Sequence, residues 1–413
     1  MRVPEVSVCV VGLGYVGLPT AALIANRGVD VLGVDINQRV VDTLNAGEIH
    51  IVEPDLGVLV RAAVNGGHLR AACVPEPAQT FVIAVPTPLR HDKRPELSHV
   101  MSAAESIAPA LRSGSLVILE STSPVGTTRR MCELLARLRP DLRFPHSAAA
   151  EADVAVAYCP ERVLPGHVLR ELVENDRIVG GVSEACAERA MRFYSQFVMG
   201  ACLSTIAETA EMTKLVENSY RDLNVAFANE ISMICGRLSI DVWELIALAN
   251  RHPRVNVLQP GPGVGGHCIA VDPWFIVDSA PEEARLVRVA REVNDAKPGY
   301  ILHQVAQAAE AFSSPRIACL GLAFKPDIDD LRESPACEIV RGLARRFLVT
   351  AVEPHIQELP RDFAELGVGW ADARTAISEA DIVIALVKHS AFLTLDRSLL
   401  DGKTVIDACG LMR

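Results

Sequence analysis

Cys268 sits in the run GPGVGGHCIAVDP, where Gly261, Gly263, Gly265 and Gly266 precede it. A backbone this bare can wrap closely around a phosphate or a sugar, and a thiol displayed on such a loop is accessible for reaction. Upstream, the stretch from Thr209 to Arg237 contains no proline and reads as one long helix. Along it Lys214, Asn218, Arg221 and Val225 recur at intervals of four, three and four, so they share one stripe. An ammonium beside a thiol favours the thiolate, and lysine, amide and guanidinium together face an anionic ligand. Asp272 lies four residues beyond Cys268. The other ten cysteines read as small buried hydrophobes.

A second constellation lies in VVGLGYVGLP. Gly12, Gly14 and Gly17 follow an apolar strand and open a helix, with Tyr15 and Val16 inside the turn. In that context Gly12 permits the tight turn, Gly14 lets the backbone approach a pyrophosphate, and Gly17 allows close helix packing. Asp35 closes the next strand and is placed to accept the adenosine ribose hydroxyls. Its charge would repel a 2′-phosphate, which favours NAD; Arg39 nearby is the feature that would admit NADP. Thr87 in VPTP and Thr122 in STSPVGTT lie at strand ends, and Thr128 starts a helix whose unbonded N–H groups suit an anion. Taken singly, each threonine is as well explained as an ordinary cap. A hydride acceptor and a nucleophile on one chain imply an oxidation that goes beyond alcohol to ketone.

These residues need a scaffold. With 413 residues the chain exceeds one hydrophobic core, and two or three domains are expected. VSVCVV, DVLGVD, TFVIAV, SLVILE and VAVAY read as strands, with crossover helices at Ala21 to Arg27, Ser98 to Leu111 and Thr127 to Leu138. RIACLGLAF, FLVTAVEP, DIVIALV and KTVIDACG repeat the pattern after a linker at Ser313 to Pro315. The fold class is therefore α/β, two Rossmann-like doubly wound domains joined by a long central helix. Its expected domains are residues 1–200, a central helical and catalytic-loop segment at 201–312, and a C-terminal unit at 313–413. A formal net charge of −11 argues against general affinity for nucleic acid or anionic membranes. Eleven cysteines without a C-x-x-C pair or a zinc-like spacing point to a reducing, cytoplasmic setting and to no metal site. The uncharged stretch from Val6 to Asn26 is long enough to pass for a membrane span, but its glycines and Pro19 favour the nucleotide-binding turn.

VVGLGYVGLP, STSPVG, YCPERVLPG, AEMTKLVENSYRDLNVAFANE, GPGVGGHCIAVDPW and GLAFKPDIDDLRESPA resemble, in order and over nearly the whole chain, the UDP-glucose/GDP-mannose dehydrogenases. The resemblance implies NAD, a UDP-sugar substrate, a homodimer and a four-electron oxidation at C6. In that scheme Cys268 traps the aldehyde as a thiohemiacetal that is oxidised to a thioester, Lys214 and Asn218 support the C6 oxygen, Asp272 handles a proton, and Glu161 assists thioester hydrolysis. It further implies a sugar pocket lined by Arg162, Val163, Arg221 and Gly265. His252 and Arg254 would reach the sugar or phosphates, in the partner subunit as in similar enzymes, with Lys325 toward UDP and Arg332 toward NAD. CPERVLPG and the run from Arg251 to Ile276 look most like the branch acting on UDP-N-acetyl-D-mannosamine for surface polysaccharides such as enterobacterial common antigen. UDP-N-acetylglucosamine and UDP-glucose are the rival sugars. A non-catalytic nucleotide-sugar sensor and a one-step alcohol dehydrogenase are rivals of another kind. One departure is visible: the turn Asp407, Ala408, Cys409, Gly410 has no cation where relatives often carry one.

Overall fold

The computed structural model describes residues 6–148, 151–164, 166–266 and 268–413; Pro165 and His267, both within quoted motifs, lie outside them. Two compact units result, one comprising the chain up to Val216 together with Trp274–Ser279, the other Glu217–Pro273 and Ala280–Arg413.

The first unit is built on β1 (Val8–Val11), β2 (Val31–Val34), β3 (Leu69–Ala72), β4 (Thr80–Ile83), β5 (Leu116–Leu119), β6 (Ala155–Tyr158), β7 (Arg177–Gly181) and β8 (Cys202–Ile206). They form one sheet in the order β3-β2-β1-β4-β5-β6-β7-β8, parallel except between β6 and β7. The central strand β1 pairs Val8 with Val31 on one side and Thr80 on the other. Helices cover both faces, so the strand sequences are continuously apolar instead of alternating. Val8 and Val10 enter one core and Cys9 and Val11 the other, all buried. Complete burial of each large side chain contributes roughly 1.5–3 kcal/mol.

The second unit repeats the plan with β9 (Arg316–Leu320), β10 (Leu348–Val352), β11 (Gly369–Trp370), β12 (Ile382–Ala385) and β13 (Thr404–Asp407), all parallel, in the order β11-β10-β9-β12-β13. Ile317 and Cys319 face one core layer, Ala318 and Leu320 the other. The doubly wound α/β fold expected from the sequence is present twice. Between them in sequence runs the helix Ala207–Leu238, 32 residues long, and the helix Val242–Ala249, whose N-cap Asp241 accepts from the Trp243 and Glu244 amides.

Some boundaries and elements differ from expectation. The first crossover helix spans Gly17–Ala25 instead of starting at Ala21, because the glycine turn leads straight into it: a Cβ at Gly17 would lie 1.9 Å from the Gly12 carbonyl oxygen. Pro19 is harmless there, since the first-turn N–H groups lack helical acceptors. The helix Arg285–Ala309 has Pro298 and Gly299 in its interior, the signal of a break, and escaped the sequence reading. It packs on Ala207–Leu238 within the second unit at Gly236, where a Cβ would meet the Tyr300 hydroxyl oxygen at 2.5 Å. Among the described residues no helix is long and apolar enough to cross a membrane.

Candidate active site

The nucleotide-binding turn has the geometry its glycines require. Gly12 adopts φ +93°, and a Cβ there would strike the Ala84 carbonyl oxygen at 2.4 Å, so only glycine fits. A Cβ at Gly14, by contrast, would meet nothing within 4 Å, which leaves space over the helix N-terminus for a pyrophosphate. Tyr15 and Val16 are half-buried beside it, and Gly17 is buried. Asp35 follows β2, its carboxylate accepting from the Leu13 amide (3.1 Å) and the Asn37 amide (2.9 Å) while staying partly exposed. Arg39 is exposed on the following helix. Open space at Gly14 and an acidic strand end fit a dinucleotide with a free 2′-hydroxyl.

Thr87 and Thr122 are brought together: the Thr87 hydroxyl donates to the Thr122 carbonyl at 2.6 Å, and both remain half-buried at the ends of β4 and β5. Thr128 is a correction. It is fully buried, and its amide and hydroxyl each donate to Glu211 Oε1 at 2.7 Å, while the Gly126 amide donates to Glu211 Oε2 at 2.6 Å. The anion at this helix N-terminus is thus the protein's own carboxylate, and Thr128 is not available to a cofactor.

In the second unit the reaction loop and the long helix converge. Asn218 donates from Nδ2 to Asp272 Oδ2 at 2.5 Å, with Asp272 only 3 % exposed. The carbonyl of Cys268 accepts from the Asp272 amide (2.9 Å) and the Val271 amide (3.0 Å), so thiol, carboxylate and amide belong to one turn of backbone and its neighbour helix. The Cys268 residue is exposed, while Cys9, Cys132, Cys159, Cys319 and Cys409 are pushed up to about 12, chiefly by burial. Gly265 is required for close packing, since a Cβ would lie 2.5 Å from the Glu333 carbonyl oxygen. Lys214 is half-buried on the same helix as Asn218 but falls in the first unit; Arg221 is exposed and Val225 half-buried.

Glu161 lies in the first unit, 7 % exposed, accepting from the Arg162 amide at 2.6 Å and from Arg177 Nη1 at 3.1 Å. Arg162 itself is tied to its own loop, donating from Nη1 to the Asp176 carbonyl at 3.1 Å, and Val163 packs against the core beside it. His252 and Arg254 are exposed, with the Arg254 amide donating to His252 Nδ1 at 3.3 Å. Lys325 is half-buried, whereas the Arg332 guanidinium is clasped by Asp330 at 2.6–3.0 Å. At the cation-free turn, Asp407 accepts from the amides of Cys409, Leu411 and Met412 at 2.8–3.2 Å.

Sequence reasoning missed three groups. Glu120, Arg177 and Tyr194 form a buried polar cluster behind Glu161; the charge ending SLVILE was its one visible signal. Asp222, Asn229, Arg291 and Asn294 form another. The Gly261 amide donates to Asn229 Oδ1 (2.9 Å), Asn229 to Asn294 Oδ1 (2.9 Å), Asn294 to Asp222 Oδ1 (2.8 Å), and Arg291 to the same oxygen (2.5 Å). This chain of bonds ties the start of the glycine loop to two helices. Finally Asp327, His355 and His389 offer atoms within 4.8 Å of one another, a spacing that would suit a metal. Both His389 nitrogens are engaged, however, Nδ1 by the Asp327 amide at 2.9 Å and Nε2 by the buried Glu353 at 3.0 Å, so the group reads as support for its turn.

Comparison with known proteins places these sites in context. Models of the UDP-glucose/GDP-mannose dehydrogenase family match as the NAD-binding domain over residues 6–198, the central domain over 208–296 and the UDP-binding domain over 318–413. The chain is 61 % identical to an NDP-N-acetyl-D-galactosaminuronic acid dehydrogenase of Ralstonia nicotianae, covering 98 % of this chain and 96 % of that one. It is 54 % identical to the UDP-N-acetyl-D-mannosamine dehydrogenase of Escherichia coli, covering 98 % and 99 %. A solved UDP-D-ManNAc dehydrogenase from Pyrococcus horikoshii superposes with a TM-score of 0.89 at 36 % identity, covering 98 % and 96 %.

Proposed function

This chain belongs to the UDP-glucose/GDP-mannose dehydrogenase family and is an NAD-dependent UDP-sugar dehydrogenase; we propose that it oxidises C6 of UDP-N-acetyl-D-mannosamine to the carboxylate in two hydride transfers. The observation that carries the reading is the convergence of an exposed Cys268 with Asp272 and Asn218. NAD, when bound, accepts the hydride at each oxidation. Lys214 and Asn218 stabilise negative charge on the C6 oxygen, and Asp272 accepts the proton of the alcohol. Cys268 sulfur then bonds to the aldehyde carbon as the carbonyl π pair moves to oxygen and takes up the thiol's proton, holding the half-oxidised sugar as a thiohemiacetal that loss of the hydroxyl proton and a second hydride converts to a thioester. Glu161 takes a proton from water, the hydroxide oxygen bonds to the acyl carbon, and the C–S electron pair returns to sulfur. Arg162, Val163, Arg221, His252, Arg254, Gly265 and Lys325 line the sugar nucleotide's path, with Arg332 toward the cofactor.

Residues 1–200 hold NAD, residues 201–312 supply the helix and the reaction loop, and residues 313–413 bind UDP. The enzyme acts as a cytoplasmic homodimer supplying a surface polysaccharide. An apolar stripe supports the dimer: Tyr220, Phe227 and Ile234, spaced by seven along the long helix, are 70 %, 52 % and 45 % exposed. The likeness to the Ralstonia nicotianae protein favours UDP-N-acetylgalactosamine as a second reading. Parallel assays with the UDP-activated N-acetylmannosamine, N-acetylgalactosamine, N-acetylglucosamine and glucose decide among them. The expected result is fastest turnover of the first, with two NADH per sugar; fastest turnover of UDP-glucose would overturn the assignment.

A further inference from the structure

Arg177 is 3 % exposed, donating to Glu161 Oε2 and, from Nη2, to the Leu172 carbonyl at 3.2 Å, with its guanidinium carbon 5.1 Å from the centre of the Tyr194 ring. The Tyr194 hydroxyl in turn donates to Glu120 Oε1 at 2.7 Å. Glu120 is enclosed, and besides the Tyr194 hydroxyl its polar company includes the buried Thr20 hydroxyl, which also favours its ionised form. Tyr194 thus lies between the two groups, its ring against Arg177 and its hydroxyl on Glu120, and the one buried guanidinium acts on both carboxylates, directly on Glu161 and through its field on Glu120. When Glu161 takes a proton from water, Arg177 loses its counter-charge inside the protein, a costly state unless another anion replaces it.

We propose that Glu120 is a positioning residue for the hydrolytic step, supplying through its own ionisation the negative charge that Arg177 needs while Glu161 holds the proton. The proposal rests on Glu161 as the base in thioester hydrolysis. Burial pushes Glu120 up to about 7, against the pull of Arg177 and with Glu161 adding to the rise, so its charge appears near neutral pH. The other groups facing it do not titrate there: burial holds Tyr194 well above its ordinary value and Cys159 at about 12. The balance of the step is unchanged, water adding its hydroxide to the acyl carbon and its proton to Glu161 as sulfur departs.

The test is the decay of the Cys268 thioester, followed by rapid quench and intact-mass analysis of the full enzyme with UDP-N-acetyl-D-mannosamine and NAD across neutral pH. Wild type should show a rise in hydrolysis through about 7. Glu120→Gln should lose that rise, hydrolysing as wild type does below it and roughly three- to tenfold more slowly above it, a part of the 10²–10⁴-fold typical of general-base catalysis. Tyr194→Phe keeps the ring over Arg177 but removes the donor that favours ionised Glu120, so the rise should move to higher pH. A Glu120→Gln profile identical to wild type, or a Tyr194→Phe rise that stays in place, overturns the proposal. Glu161→Gln separates the two readings: normal hydrolysis in that variant refutes Glu161 as the base, whereas its loss alongside an unaltered Glu120→Gln profile refutes Glu120 alone.

Discussion

Among the described residues two guanidinium groups are buried, each with two carboxylates for company, and the surroundings of the second carboxylate set them apart. Arg177 has Glu161 at 3.1 Å and shares its field with Glu120, both enclosed. Arg291 has Asp222 at 2.5 Å, almost fully enclosed, and Asp295 one turn along the helix, whose side chain is 38 % exposed. Because Asp295 reaches water, the Arg291 cluster has one buried carboxylate to balance, Asp222, which burial pushes up while Arg291 and Asn294 pull it down, an arrangement suited to clamping helices and the start of the glycine loop. Glu120, denied water, is pushed up to about 7, so the Arg177 cluster has a charge that changes with pH near neutrality. Burial alone does not make a charge cluster structural; what matters is whether its spare member reaches solvent.

The contrast can be broken by removing each cation. Arg291→Met should strand an ionised Asp222 and cut its bonds into Asn294, costing about 3–5 kcal/mol. Arg177→Met removes one partner of Glu161 but lets Glu120, pushed up by burial, keep its proton, and the loss should be nearer about 2–3 kcal/mol. Urea denaturation of both variants, compared at one pH, checks the order; equal losses would erase the distinction.

A smaller effect sharpens it. Lys297, beside the Arg291 cluster, donates to the Ser232 hydroxyl and lies 5.0 Å from the centre of the Tyr300 ring, and burial pushes it down from 10.5 to about 8. Because the unfolded chain holds that proton more tightly, stability should rise with pH from about 8 to about 10.5 and carry the full penalty below that window. Lys297→Met should therefore stabilise the protein below the window by on the order of 1–3 kcal/mol, with the advantage shrinking across it. Thermal unfolding at a series of pH values measures this, and a pH-independent difference would contradict it.

What the sequence made legible were features written locally. The glycine fingerprint, the runs of apolar residues buried on two faces and the exposed thiol among glycines all announce themselves within about a dozen residues, and the structure bears out the doubly wound α/β plan. β3 was missed because LRAA alternates buried and half-buried positions without β-branched residues. The helix around Pro298 was missed because local chemistry argued for a break that tertiary packing overrides. The polar clusters were invisible for another reason: Asp222 meets Arg291 across 69 residues and Tyr194 meets Glu120 across 74, distances at which spacing carries no information. Thr128 misled because the carboxylate that satisfies it, Glu211, comes from 83 residues away.

The covalent role of the thiol is tested most directly by counting NADH and uronate formed from UDP-N-acetyl-D-mannosamine by the Cys268→Ser enzyme, with NAD affinity measured alongside. Unchanged NAD binding with no net uronate is the expected result, since an alkoxide-bound hemiacetal has no comparable route to an ester that water can open. Two NADH and one uronate per sugar at the wild-type rate would show that sulfur never joins the substrate.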